Sequence, residues 1–156
     1  MELIPVVDLL REKKGRWKEA HLILFELCNM SCSFCHQDHD SRVGLDGDAM
    51  IEKMTTLLYS SPTTESMVVN ITGGELFMDE VSDDLFDVYY HIGKMALLHF
   101  KEVKLVFGTN LTYHNTDRVR ELIERLREIH DNVWLATSYD PAGRFNPSQR
   151  ELFIKN

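Results

Sequence analysis

The segment HLILFELCNMSCSFC, residues 21–35, decides how the rest of the chain is read. Its first half, residues 21–27, is a short apolar run suited to a strand buried on both faces, and three cysteines begin where that run stops. A strand that hands over directly to a dense set of thiols puts the chemistry on the loop at its C-terminal end.

Moving outward from this segment, the pattern of strand, polar turn and helix recurs. Asp46 or Asp48 can cap a helix whose apolar face is Met50, Ile51, Met54, Leu57 and Leu58, and Ser61-Pro62 ends it. A second buried run, residues 67–71, leads into Thr72-Gly73-Gly74-Glu75, after which Val81, Leu85, Val88, Ile92 and Met95 mark a second helix. Residues 103–107 give a third strand ending in Gly108-Thr109-Asn110. The helix after it has the face Val119, Leu122, Ile123, Leu126 and Ile129, with Thr116 as its expected cap. Residues 133–138 supply a fourth strand, and Asn146-Pro147 reads as the cap and first-turn proline of a last helix.

Strands alternating with helices at this spacing predict an α/β fold with a parallel sheet and right-handed crossovers. In such folds the turns after the strands share one end of the sheet. The cysteine loop, the Gly-Gly-Glu turn, Thr109-Asn110, and Ser138 with Asp140 are therefore expected to converge.

Composition narrows the function classes. With 44% apolar residues and 10% aromatics, the 156-residue chain can bury a real core. A formal charge of −8 gives a long-range field of the wrong sign for phosphate backbones or anionic membranes, which argues against nucleic acid. Arg11, Lys13, Lys14, Arg16 and Lys18 near Trp17 read as a solvated surface. No secretory leader and no run of about 20 apolar residues is recognisable, so no membrane partner is expected. The three cysteines all fall within residues 28–35, an arrangement of ligands rather than a covalent staple, and a reducing cytoplasm fits it best. The expected organisation is an N-terminal arm, residues 1–20, followed by a core over residues 21–156.

Cys28, Cys32 and Cys35 have the spacing C-x3-C-x2-C, which lets three thiolates face one centre. Soft sulfur ligands select zinc or an iron-sulfur cluster over hard cations. Three ligands leave one position open on a cluster, whereas zinc would call for a fourth ligand such as His36 or His39. The other histidines lack ligand spacing, Met50, Met54 and Met95 belong to helix faces, and Arg144 is expected at the surface.

These residues resemble the radical S-adenosylmethionine (radical SAM) superfamily, whose signature has this cysteine spacing with an aromatic residue, here Phe34, before the last cysteine. Thr72-Gly73-Gly74-Glu75 at the end of the second strand is similar to the family's Gly-Gly-Glu motif. The resemblance spans residues 22–140. It implies that Cys28, Cys32 and Cys35 hold three irons of a 4Fe-4S cluster while SAM chelates the fourth. One electron then cleaves a sulfonium carbon-sulfur bond, and a 5'-deoxyadenosyl radical abstracts hydrogen from the substrate. The implied SAM contacts are Thr72, Gly73, Gly74 and Glu75 at the methionyl group, Phe34 beside the adenine, Ser138 and Asp140 at the ribose, and Asn110.

The resemblance also implies a TIM-like (β/α) barrel of about six units, of which this sequence supplies four. The open edges of such a partial barrel are expected to be covered by the remainder of a longer chain or by a second subunit. An electron donor such as flavodoxin or ferredoxin is the implied redox partner, and the substrate is not specified. Two alternatives stay open: an iron-sulfur electron-transfer module that cleaves no SAM, and a zinc-stabilised interaction domain.

Overall fold

Four apolar runs make one sheet. The computed structural model describes residues 17–63, 66–138 and 145–156. Its strands are β1 (Trp17–Ile23), β2 (Ser66–Thr72), β3 (Glu102–Gly108) and β4 (Val133–Ala136), in the order β1-β2-β3-β4 with every neighbouring pair parallel. Helices α1 (Gly47–Ser60), α2 (Asp83–His99) and α3 (Thr116–Arg127) connect successive strands, and α4 (Pro147–Lys155) follows β4. The alternating α/β architecture and the parallel sheet are as the sequence pattern predicts. Among the described residues no helix is long and apolar enough to cross a membrane.

Side-chain alternation along the strands divides the sheet into two faces. Leu22, Met67, Val69, Ile71, Val103, Leu105 and Phe107 join Met50, Met54, Ile92, Ala96 and Leu126 of the helices in the main core. On the opposite face, Val68 and Val106 are also buried, as are Asn70 and Lys104. This two-sided burial is why β2 and β3 read as unbroken apolar runs rather than as alternating ones. Asn70 meets its hydrogen-bonding need by donating from Nδ2 to Glu19 Oε1 at 2.7 Å.

Several boundaries differ from expectation. β1 begins at Trp17, inside the segment expected to be an arm, and ends at Ile23 rather than at residue 27. Leu24 still bonds to the last residue of β2, and from Phe25 onward the partner is the glycine turn beyond it. Leu24 N–H donates to Thr72 O at 2.8 Å and Gly74 N–H donates to Phe25 O at 2.9 Å. β4 stops at Ala136 instead of reaching Ser138. The cap of α3 is Asn115, whose Oδ1 accepts from Arg118 N–H, so Thr116 is the first helical residue and not the cap. Val81 precedes α2 and packs in the core from the loop, with Ser82 at the N-cap. The Asp46 cap of α1 and the Asn146-Pro147 start of α4 are as expected.

Candidate functional site

Backbone approach builds the site before any side chain enters it. The turn after β2 lies directly against the segment that delivers Cys28: Gly74 N–H donates to Phe25 O, and Glu75 N–H donates to Leu27 O at 3.0 Å. A Cβ at position 74 would stand 2.0 Å from Leu27 O and 2.3 Å from Glu26 O. Only glycine permits that contact. The cysteine loop is closed at its base by Cys28 N–H donating to His39 O, and Asp38 N–H donates to Glu26 Oε2, both at 3.0 Å. Gln37 then reaches back across the loop and donates from Nε2 to Gly73 O at 3.2 Å.

Glu75 ties the turn after β2 to the turn after β3. It is fully buried, and its Oε1 accepts from Phe77 N–H at 3.0 Å and from Thr109 Oγ1 at 2.7 Å, while Oε2 accepts from Asn110 N–H at 2.5 Å. An ionised carboxylate held by several donors tolerates burial that would otherwise be prohibitive. Its negative field reaches two neighbouring tyrosines, since burial first and the Glu75 charge second push the Tyr89 and Tyr113 hydroxyls above their usual range. The resemblance assigned this carboxylate to a bound methionyl group. In the structure it is engaged inside the protein and does not face the cleft described below.

A second polar knot joins the turn after β3 to the cysteine loop. Asn110 Nδ2 donates to Asn29 Oδ1 at 2.8 Å and lies 3.8 Å from Cys28 Sγ. Asn29 Nδ2 donates to Thr112 O at 2.8 Å and to Thr112 Oγ1 at 3.1 Å. Next to this knot, Leu111 adopts φ 58, the left-handed turn that carries the chain away from β3.

All three cysteines are free thiols and half-buried. Burial pushes the Cys28 thiol up, the Met30 backbone N–H opposes this, and Glu75, Cys32 and Cys35 add to the rise. Cys35 faces Gln37 Oε1 at 3.6 Å. Among the described residues no three His, Cys, Asp or Glu side chains are gathered so as to hold a metal ion, which applies to the three cysteines as much as to His36 and His39. By donor chemistry the three thiols suit an iron-sulfur cluster, and they share one loop, but their side chains would have to turn toward a common centre to hold it.

At the C-terminal ends of the strands lies an open cleft of about 360 Å³. Thr72, Gly73, Gly74, Asn110 and Ser138 line it, all of them residues singled out from the sequence. Thr109 lines it as well. Phe34 is 58% exposed and lies outside the lining, so the structure does not bring it to the cleft. Asp140 and Arg144 lie outside the described residues.

Gln37, Gly108, Ala136 and Thr137 also line the cleft, and Thr137 Oγ1 is buried without a hydrogen-bond partner. Sequence reading passed over Gln37, Asn29 and Thr112 because their roles depend on where loops cross. The small residues Gly108 and Ala136 were legible only as strand ends. Comparison with protein-family models, with curated proteins and with solved structures finds no match for this chain.

Proposed function

We propose that this chain is the cluster-binding part of a radical SAM enzyme built on a partial TIM-like barrel. Cys28, Cys32 and Cys35 hold a 4Fe-4S cluster, and S-adenosylmethionine takes the cleft lined by Gly73, Gly74, Asn110 and Ser138. The observation that supports this reading is that the loop carrying the three thiols is tied to one end of a parallel sheet, Cys28 through Asn110 and Cys35 through Gln37 to the Gly73-Gly74 turn. When bound, the reduced cluster supplies the electron that cleaves a sulfonium carbon-sulfur bond of SAM, giving the 5'-deoxyadenosyl radical that abstracts hydrogen from a substrate.

This chain's residues do the positioning. The Gly73 carbonyl, now satisfied by Gln37, is an acceptor suited to an ammonium group, and Gln37 would yield it to such a ligand. Ser138, in the cleft lining, offers a hydroxyl to a sugar. Glu75 holds the two turns at the spacing the cleft requires. A flavodoxin- or ferredoxin-type protein supplies electrons, in a reducing cytoplasm, and a further chain segment or second subunit covers the sheet edges.

A second reading, an iron-sulfur electron-transfer module that cleaves no SAM, is favoured by the internal use of the Glu75 carboxylate. The first test is anaerobic reconstitution with iron and sulfide. A brown, oxygen-sensitive protein with about four irons per chain is expected, as for a thiolate-bound cluster. Replacing Cys28, Cys32 or Cys35 by Ala should each abolish it. A colourless protein with one tightly held zinc would contradict both iron readings.

A further inference from the structure

Asn110 differs from the rest of the cleft lining because its amide is both buried and fixed in direction. It is 3% exposed. Its Oδ1 accepts from Thr112 N–H at 2.8 Å and from Thr112 Oγ1 at 2.6 Å, while Nδ2 donates to Asn29 Oδ1 at 2.8 Å. Turning the amide over would set oxygen against the Asn29 oxygen and an N–H against the Thr112 N–H, so the network itself assigns the nitrogen end. The Asn29, Asn110 and Thr112 side chains form a closed triangle, because Thr112 Oγ1 also accepts from Asn29 Nδ2. With one Nδ2 hydrogen committed to Asn29, the other is left for Cys28 Sγ, 3.8 Å away. Cys35 has the opposite arrangement, facing an acceptor oxygen on Gln37.

We propose that Asn110 is a positioning residue for Cys28: its amide N–H, held in place from the turn after β3, donates to this sulfur and raises the reduction potential of the metal centre. The inference rests on the reading of the three cysteines as cluster ligands. The physical cause is electrostatic. Reduction adds negative charge that is shared with the thiolate sulfurs, and an N–H dipole aimed at one of them stabilises the reduced form more than the oxidised one. Cys28 thereby becomes electronically distinct from Cys32 and Cys35.

The test uses the full chain, reconstituted anaerobically with iron and sulfide, with the potential read by redox titration of the reduced-cluster electron paramagnetic resonance (EPR) signal. Asn110→Ala should retain iron yet show an about tenfold lower ratio of reduced to oxidised cluster at a fixed poise, which is about 59 mV for a one-electron couple. Thr112→Val leaves the amide but removes the hydroxyl that orients it, and should shift the potential in the same direction by less. It serves as the deciding variant if Asn110→Ala fails to fold.

A metal-free arm separates this contact from the cluster reading. In the 15N-labelled apo chain, Cys28→Ala should move the Asn110 side-chain amide resonance, whereas Cys35→Ala should leave it in place. An iron-loaded wild type with unchanged potential in the folded variants would overturn the role of Asn110 alone. An unmoved resonance in Cys28→Ala would overturn it too. A wild type that takes up no iron would overturn the redox role together with the cluster reading itself.

Discussion

Single positions carry the joints between loops. At Gly74 the distance of 2.0 Å from a Cβ to Leu27 O leaves no room for any side chain, and the clash is with backbone, which cannot rotate away. Gly74→Ala should lower stability by at least ~1–3 kcal/mol, the usual cost of overpacking, and its denaturation midpoint should fall accordingly. A near-wild-type midpoint would mean that the two loops are not in contact. Glu75→Gln replaces one carboxylate oxygen by an N–H2 that faces donors, so a loss of ~2–4 kcal/mol is expected from weakened charged hydrogen bonds and an unsatisfied donor. If Glu75 instead contacted only a ligand, the same substitution would leave the apo protein's stability untouched.

Asp79 gives a pH-dependent contribution. Partial burial pushes its carboxyl up, but the ring of His114 and the backbone N–H groups of His114 and Asn115 outweigh this and hold it below its ordinary 3.8. A depressed carboxyl pKa stabilises the fold above the unfolded value and loses that contribution as pH falls through the folded one. The stability that Asp79→Asn removes should therefore be present at neutral pH and vanish in the acid limb below about pH 4. Acid titrations of both proteins, monitored by circular dichroism, would check this. A difference that persisted undiminished at the lowest pH would contradict it.

At the scale of elements, the link between α1 and β1 bears most directly on the site. Lys53 Nζ, from the middle of α1, donates to Ile23 O at 2.8 Å and to Leu24 O at 2.7 Å, satisfying carbonyls that the end of β1 leaves outside the ladder. Lys53→Met keeps the aliphatic stem but removes the charged donor from those carbonyls, one exposed and one partly buried, for an expected loss of ~0.5–1.5 kcal/mol. Hydrogen exchange should quicken at Leu24 and in residues 25–28 before it does in β2. Uniform acceleration across the sheet would show that the lysine supports the whole fold instead of this end.

Element types were legible in the sequence because each has its own period. The apolar runs of β2 and β3 and the three- and four-residue spacing on α1 and α3 gave strands and helices in the correct order. Their ends were less legible, for physical reasons found in particular residues. The exit from β1 is set by a tertiary partner, the Gly73-Gly74 turn, which local pattern does not contain. The cap of α3 fell to Asn115 because its side chain reaches Arg118 N–H from one position outside the helix. In the site, the cysteines and glycines were visible by type and spacing. Gln37, Asn29 and Thr112 were not, because their importance comes from contacts made across 36 to 83 residues of sequence.

At the scale of the molecule, the parallel order β1-β2-β3-β4 puts the turns after the strands at one end, and the turns after β1, β2 and β3 meet there through hydrogen bonds as well as through proximity. Among the described residues no strand pairs with the outer side of β1 or β4. The isolated chain is expected to associate with itself or to unfold with low cooperativity, and light scattering and thermal melts over a range of concentrations would check this. A monomer with a sharp, concentration-independent transition would instead mean that the edges need no cover.

The central claim is that three cysteines leave one iron open to a ligand held in the neighbouring cleft. The measurement that meets it most directly is the EPR spectrum of the reduced, reconstituted protein with and without saturating S-adenosylmethionine. A changed spectrum on addition of S-adenosylmethionine is expected, with the change abolished by substitutions that fill the cleft at Ala136 or Ser138 but leave the iron content intact. An iron-loaded protein whose spectrum is identical with and without S-adenosylmethionine would contradict the claim and leave a cluster that only carries electrons.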